Sequence, residues 1–142
     1  MKSVEKNSVL VTLADNNYLE QAKQLFASVY LNSGWAGDYL LLAYDVPEKN
    51  LEWFRERGIL IKKIKSQKRL HKLHISRYHS VILSKFYLFT PYFKQWKKVI
   101  FLDSDIIVKD SLSRLLERSG FQAGDDKQSL SEQFELMNTH NK

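Results

Sequence analysis

The stretch Lys98-Val99-Ile100-Phe101-Leu102-Asp103-Ser104-Asp105-Ile106-Ile107-Val108 decides how the chain is read. Its β-branched, apolar first half is the pattern of a buried strand, and it runs straight into two carboxylates before a second apolar run that reads as extended too. Side chains two apart on an extended backbone point to one side, so Asp103 and Asp105 are expected to converge if the chain stays extended there. Two such charges about 4 Å apart repel by about 4 kcal/mol at an effective dielectric near 20, and a cation relieves the repulsion. Carboxylate oxygens suit Mg²⁺ or Mn²⁺, ions that keep coordination positions for water and substrate phosphates. A turn cap plus a solvated side chain is the competing reading of any Asp-x-Asp. The apolar runs before and after the pair favour the metal.

Working outward, strand and helix patterns alternate. Ser8 to Leu13 is a strand; Asp15, Asn16 and Asn17 offer helix caps, and Tyr18, Ala22, Leu25, Phe26, Val29 and Tyr30 recur at helical spacing as far as Gly34. Asp38 to Val46 is a second strand, a second helix starts at Pro47 and ends just before Gly58 with Leu51 and Phe54 on one face, and Ile59 to Ile64 is a third strand. Tyr78, Ile82, Phe86 and Phe89 repeat at helical spacing until Pro91. Beyond the Asp-x-Asp, Ser111 to Leu116 reads as a short helix and Phe121 to Gly124 as one more strand, after which the chain turns polar. This order implies an α/β fold with a mostly parallel sheet, whose ligands bind at the carboxyl ends of its strands. The polar residues around Asp15 and Asp103 are therefore the first places to look for chemistry.

Composition narrows the classes. The chain has 142 residues, no cysteine, and 22 Lys and Arg against 16 Asp and Glu. One domain is expected, while disulfide frameworks, thiolate nucleophiles and Cys-ligated zinc are excluded. The opening residues lack a signal-peptide pattern, and no apolar run approaches the ~20 residues of a membrane span, so a cytoplasmic protein is expected. The charge is segregated: from Arg57 to Leu102 there is no carboxylate, while the cations run from Arg57 through Lys62, Lys72 and Lys85 to Lys98 and are joined by His71, His74 and His79. Such a stretch suits a polyanion or an anionic membrane surface, or is a solvated, lysine-rich loop.

The first strand ends in Leu13-Ala14-Asp15-Asn16-Asn17-Tyr18, without the glycine fingerprint of a dinucleotide-binding turn or a P-loop. Asp15 and Asn17 can hydrogen-bond a base or ribose, and Tyr18 can stack on a base, worth about 1–3 kcal/mol. A plain capped helix with Tyr18 as its first core residue is the alternative. Lys85 sits in an otherwise apolar segment, where it either reaches a diphosphate or snorkels to solvent. Phosphoaspartyl transfer also uses an Asp-x-Asp at a strand end, but that chemistry places the pair early and needs a further lysine and acidic pair downstream.

Three segments together resemble the donor half of glycosyltransferase family 8. They are Ala14-Asp15-Asn16-Asn17-Tyr18 with the helix after it, His74-Ile75-Ser76 with Lys85 beyond, and Val99 through Leu112 around Asp103-Ser104-Asp105. The resemblance is closest to the bacterial lipopolysaccharide galactosyl- and glucosyltransferases. It implies a Rossmann-like GT-A nucleotide-sugar-binding fold, with a donor domain over 1–126 and a polar tail over 127–142. It also implies a UDP-sugar donor bound by Leu13, Asp15, Asn17, Tyr18, Lys85, Asp103 and Ser104, and Mn²⁺ (or Mg²⁺) held by Asp103 and Asp105. The implied reaction is hexosyl transfer with retention of configuration to a glycan, lipopolysaccharide or protein acceptor. Nucleic acid is not an expected partner, and a peripheral place at the inner membrane face is. Family members continue well past the Asp-x-Asp into a segment that supplies a metal-binding histidine, so a donor part truncated at its C-terminus is expected, and His140 is not assigned as a ligand. A non-catalytic basic module that binds polyanion or anionic membrane is the alternative function.

Overall fold

The computed structural model describes residues 7–66, 80–81 and 83–123. The histidines and the lysine-rich part of the basic stretch over 67–79, and the polar segment from 124 onward with Asp125, Asp126 and His140, lie outside the described residues.

Among the described residues four strands, β1 (Ser8–Asp15), β2 (Asp38–Tyr44), β3 (Leu60–Ile64) and β4 (Lys98–Phe101), form one parallel sheet in the order β3-β2-β1-β4. The chain builds outward from β1 through β2 to β3 and then returns to the other side of β1. The strand order therefore reverses between β1 and β4, and in open α/β sheets the crevice at such a reversal is where ligands bind.

β1 is buried along its whole length, as a central parallel strand covered on both faces should be. Its alternate residues serve two cores. Leu10 and Ala14 face α1 (Leu19–Asn32) and α2 (Glu52–Glu56), where Ala22, Leu25, Phe26, Val29, Leu51 and Phe54 pack. Val9, Val11 and Leu13 face the opposite layer, built on Phe93 and Trp96 with Val81 and Tyr87 against it. α2 stops where Gly58 takes a left-handed φ of 70°. Gly58 N donates to Arg55 O and Ile59 N to Phe54 O, both at 3.0 Å, the paired bonds of a Schellman cap.

Three sequence expectations are corrected. The segment with Phe86 and Phe89 forms successive 3₁₀ turns, Ser84–Phe89 and Pro91–Gln95, rather than one α-helix, because Pro91 holds Thr90 extended at ψ 158° between them. Its Phe86–Phe89 face points to solvent, and the core is filled instead by Phe93 and Trp96. Ile106 to Val108 and 121–123 are irregular, with Gly124 outside the described residues, so neither the run after the Asp-x-Asp nor the last apolar run adds a strand among the described residues. The short helix after the acidic pair is present as α3 (Ser113–Glu117). No helix of the described residues is long and apolar enough to cross a membrane.

Candidate functional site at the reversal of strand order

β4 is shorter than β1. Its last paired residue, Phe101, lies opposite Val11, and one further bond, Leu102 N to Val11 O at 3.0 Å, closes the ladder. β1 runs on to Asp15, paired only with β2 through Asp15 and Tyr44. The two chains part there, and a cleft of about 450 Å³ opens over the end of β1.

The β1 side of the cleft is shaped by capping. Asp15, buried and extended at φ −91° and ψ −176°, accepts a hydrogen bond from Asn17 N on Oδ1 at 2.9 Å and starts the 3₁₀ turn Asn16–Tyr18 that leads into α1. Tyr18 is 49% exposed, so it is not the first core residue of the helix; its ring stands at the cleft wall. Asn16 accepts from Asn50 Nδ2 at 2.7 Å, which ties this loop to the one after β2.

The β4 side is a turn. Asp103 and Asp105 do not lie on an extended chain, as the alternation argument required: Ile106 N donates to Asp103 O at 3.1 Å, and Ser104 and Asp105 occupy the corner. The turn follows from the end of pairing with β1, because backbone groups with no ladder partner close a bond locally. It leaves Asp103, Ser104 and Asp105 on the cleft rim.

Across the opening, Lys85 Nζ sits 2.7 Å from Asp103 Oδ1 and 5.2 Å from the centre of the Phe101 ring. The lysine is thus an ion-pair partner rather than a side chain snorkelling free. Leu13, Asp15, Asn17, Tyr18, Lys85, Asp103, Ser104 and Asp105 all line this one cleft, with Ala14 and Val81 completing its floor and wall. The two aspartates present hard carboxylate oxygens of the kind Mg²⁺ and Mn²⁺ prefer. Among the described residues no third His, Cys, Asp or Glu gathers with them. The donor set fits an ion that takes its other ligands from phosphate and water.

Two site-positioning residues carry no motif. Ser28 Oγ accepts from Val108 N at 2.9 Å, and Asn32 Nδ2 donates to Val108 O at 2.7 Å. Spaced four apart on α1, they grip both backbone groups of the residue three beyond Asp105. The only local signal was a serine inside the apolar stripe of the helix, at a position the core otherwise fills with Leu25, Phe26 and Val29.

A family model described as glycosyl transferase family 8 matches residues 9–119, which span both walls of the cleft. The chain belongs to glycosyl transferase family 8. Among solved structures, the family 8 chain is similar to the LgtC active-site mutant Q189E, with a TM-score of 0.60 and 24% identity over 78% of this chain and 42% of that one. It is similar to the bifunctional glycosyltransferase WbbM at TM-score 0.57 and 19% identity, over 84% of this chain and 22% of WbbM. A third likeness is the glycosyltransferase GlyE of Streptococcus pneumoniae TIGR4, at TM-score 0.52 and 23% identity over 78% of this chain and 26% of GlyE. At these identities the likeness is one of fold, and the fold is GT-A. The chain spans less than half the length of each of these proteins. No curated protein matches it.

Proposed function

We propose that the protein binds a UDP-sugar in the cleft between the ends of β1 and β4 and transfers the hexosyl group, with retention of configuration, to a glycan, lipopolysaccharide or protein hydroxyl. The observation that carries this reading is the meeting, at the reversal of strand order, of the polar end of β1 with the Asp103-Ser104-Asp105 turn in a family 8 chain. In this reading Tyr18 offers the uracil ring a half-exposed stacking face, and Leu13, Asp15 and Asn17 contact the uridine around it. Asp103 and Asp105 hold Mn²⁺ or Mg²⁺, Ser104 lies against the donor between them, and Lys85 faces the diphosphate. The ion, when bound, neutralises the charge that develops on the diphosphate as the glycosidic bond breaks. Val81 supplies an apolar wall beside these charged groups.

UDP with Mn²⁺ tests it by thermal unfolding. At a hundred times the dissociation constant, bound ligand stabilises the fold by about 2.7 kcal/mol. A clear upward shift that Asp103→Ala abolishes supports the reading; no shift in the parent protein contradicts it.

A peripheral contact with an anionic membrane is a second, compatible reading, favoured by three exposed rings. Phe86, Phe89 and Phe121 are 66%, 67% and 77% exposed and lie in a row, mutually tilted, with centroids 6.4 and 6.1 Å apart. Arg118 lies three residues before Phe121 in the sequence, and aromatic rings beside cations suit an anionic lipid interface. Salt-sensitive sedimentation with phosphatidylglycerol vesicles, lost on replacing Phe86 and Phe89 by Ser, is the expected result; equal sedimentation of parent and variant contradicts it.

A further inference from the structure

Lys85 and Asp103 come from opposite sides of the cleft mouth, one from the 3₁₀ turn Ser84–Phe89 and the other from the turn after β4. Their 2.7 Å contact places a monovalent cation on an oxygen that a divalent ion would need. With the ammonium there, the Asp103 and Asp105 pair carries one uncompensated negative charge instead of two. A divalent ion arriving alone meets a like charge and a carboxylate already engaged.

Resting on the UDP-metal reading above, we propose that Lys85 is a resident counter-cation on Asp103 that couples metal entry to nucleotide entry, releasing the carboxylate when a diphosphate takes the ammonium. A diphosphate is the group that resolves the conflict, because its several anionic oxygens accept both the ion and the lysine. Lysine suits the exchange: its ammonium is a compact point charge on a flexible four-carbon stem, free to swing between carboxylate and phosphate in one cleft, whereas a forked guanidinium binds a carboxylate bidentately. The Lys85 and Asp103 side chains are 38% and 57% exposed, so the pair is contestable rather than locked. An exposed pair of this kind is worth no more than about fivefold in an equilibrium constant. By linkage, whatever factor UDP adds to the affinity for the ion, the ion adds to the affinity for UDP.

The test is titration of the full chain with Mn²⁺, followed by the electron paramagnetic resonance of free Mn²⁺, with and without saturating UDP. Parent protein, Lys85→Met and Lys85→Arg are compared, with Lys85→Gln as a second neutral variant should the methionine protein fail to fold. Neutral variants are expected to bind Mn²⁺ alone more tightly than the parent, by up to about fivefold, and to show a correspondingly smaller gain on adding UDP. Lys85→Arg, which keeps the cation, is expected to bind Mn²⁺ alone no more tightly than the parent. If neutral variants bind Mn²⁺ alone no more tightly while the parent still binds Mn²⁺ with UDP, the coupling role is overturned and the donor-site reading stands. If the parent binds no Mn²⁺ even with UDP, the donor-site reading falls and the coupling role with it.

Discussion

Asn32, on the last turn of α1, donates its side-chain amide to the carbonyl oxygen of Val108 at 2.7 Å. Together with Ser28, which accepts from Val108 N, it fastens the exit of the acidic turn to the helix that follows β1. The two walls of the cleft are thereby joined on the far side of the sheet from Lys85. Ser28→Ala leaves the buried Val108 N–H without its partner and is expected to cost about 1–3 kcal/mol. Urea denaturation checks this. An unchanged midpoint would show that water or a shifted backbone replaces the hydroxyl.

Gly37 precedes β2, where the backbone passes close to the start of β1. A Cβ there would lie 2.5 Å from Ser8 Oγ and 2.6 Å from Ser8 O. One of those atoms is backbone within the sheet and has little room to move. Gly37→Ala is expected to destabilise the fold by about 1–3 kcal/mol, as other overpacked sites do. Thermal unfolding would reveal the loss, and parent-like stability would contradict the close approach.

Tyr18 separates stability from binding. Its ring is half exposed at the cleft wall, so Tyr18→Ala should change stability by no more than about 0.5 kcal/mol. Removal of a base-stacking face should nonetheless weaken UDP binding by about 1–3 kcal/mol, roughly fivefold to 150-fold. Calorimetric titration with UDP measures this directly. Full affinity in the variant would remove Tyr18 from the uridine site.

Asp15 is expected to serve twice. As the cap that accepts from Asn17 N, its loss in Asp15→Ala should cost about 0.5–2 kcal/mol. Asp15→Asn keeps a side-chain oxygen for the cap and should recover most of that stability. If Asp15 also contacts the uridine, Asp15→Asn still binds UDP more weakly than the parent. A variant that regains both stability and affinity would leave Asp15 with the cap alone.

The alternation of strands and helices is local in the sequence, because an apolar run ending in polar residues marks a buried strand and its terminus without help from distant residues. Ser8–Asp15 and Lys98–Phe101 are both of this kind, and so is the cap at Gly58. The place of β4 beside β1 is not local: it depends on which edge of the sheet the returning chain covers, and that choice brings Asp15 and Asp103 to one cleft. The bend at Ser104 arises where the ladder with Val11 ends, which the apolar pattern on either side does not reveal. Spacing in Phe86 and Phe89 reports that a face exists and not what it faces; here it faces solvent. The grip of Ser28 and Asn32 on Val108 joins residues 80 and 76 positions apart, and nothing in either segment announces the other.

The most direct measurement is calorimetric titration of the protein with UDP in the presence of Mn²⁺, in the presence of EDTA, and for Asp103→Ala and Asp105→Ala. Binding that needs Mn²⁺ and is lost in both variants is the predicted result. UDP binding that survives EDTA and both substitutions, or no binding by the parent protein with Mn²⁺, would contradict a metal-dependent donor site at the ends of β1 and β4.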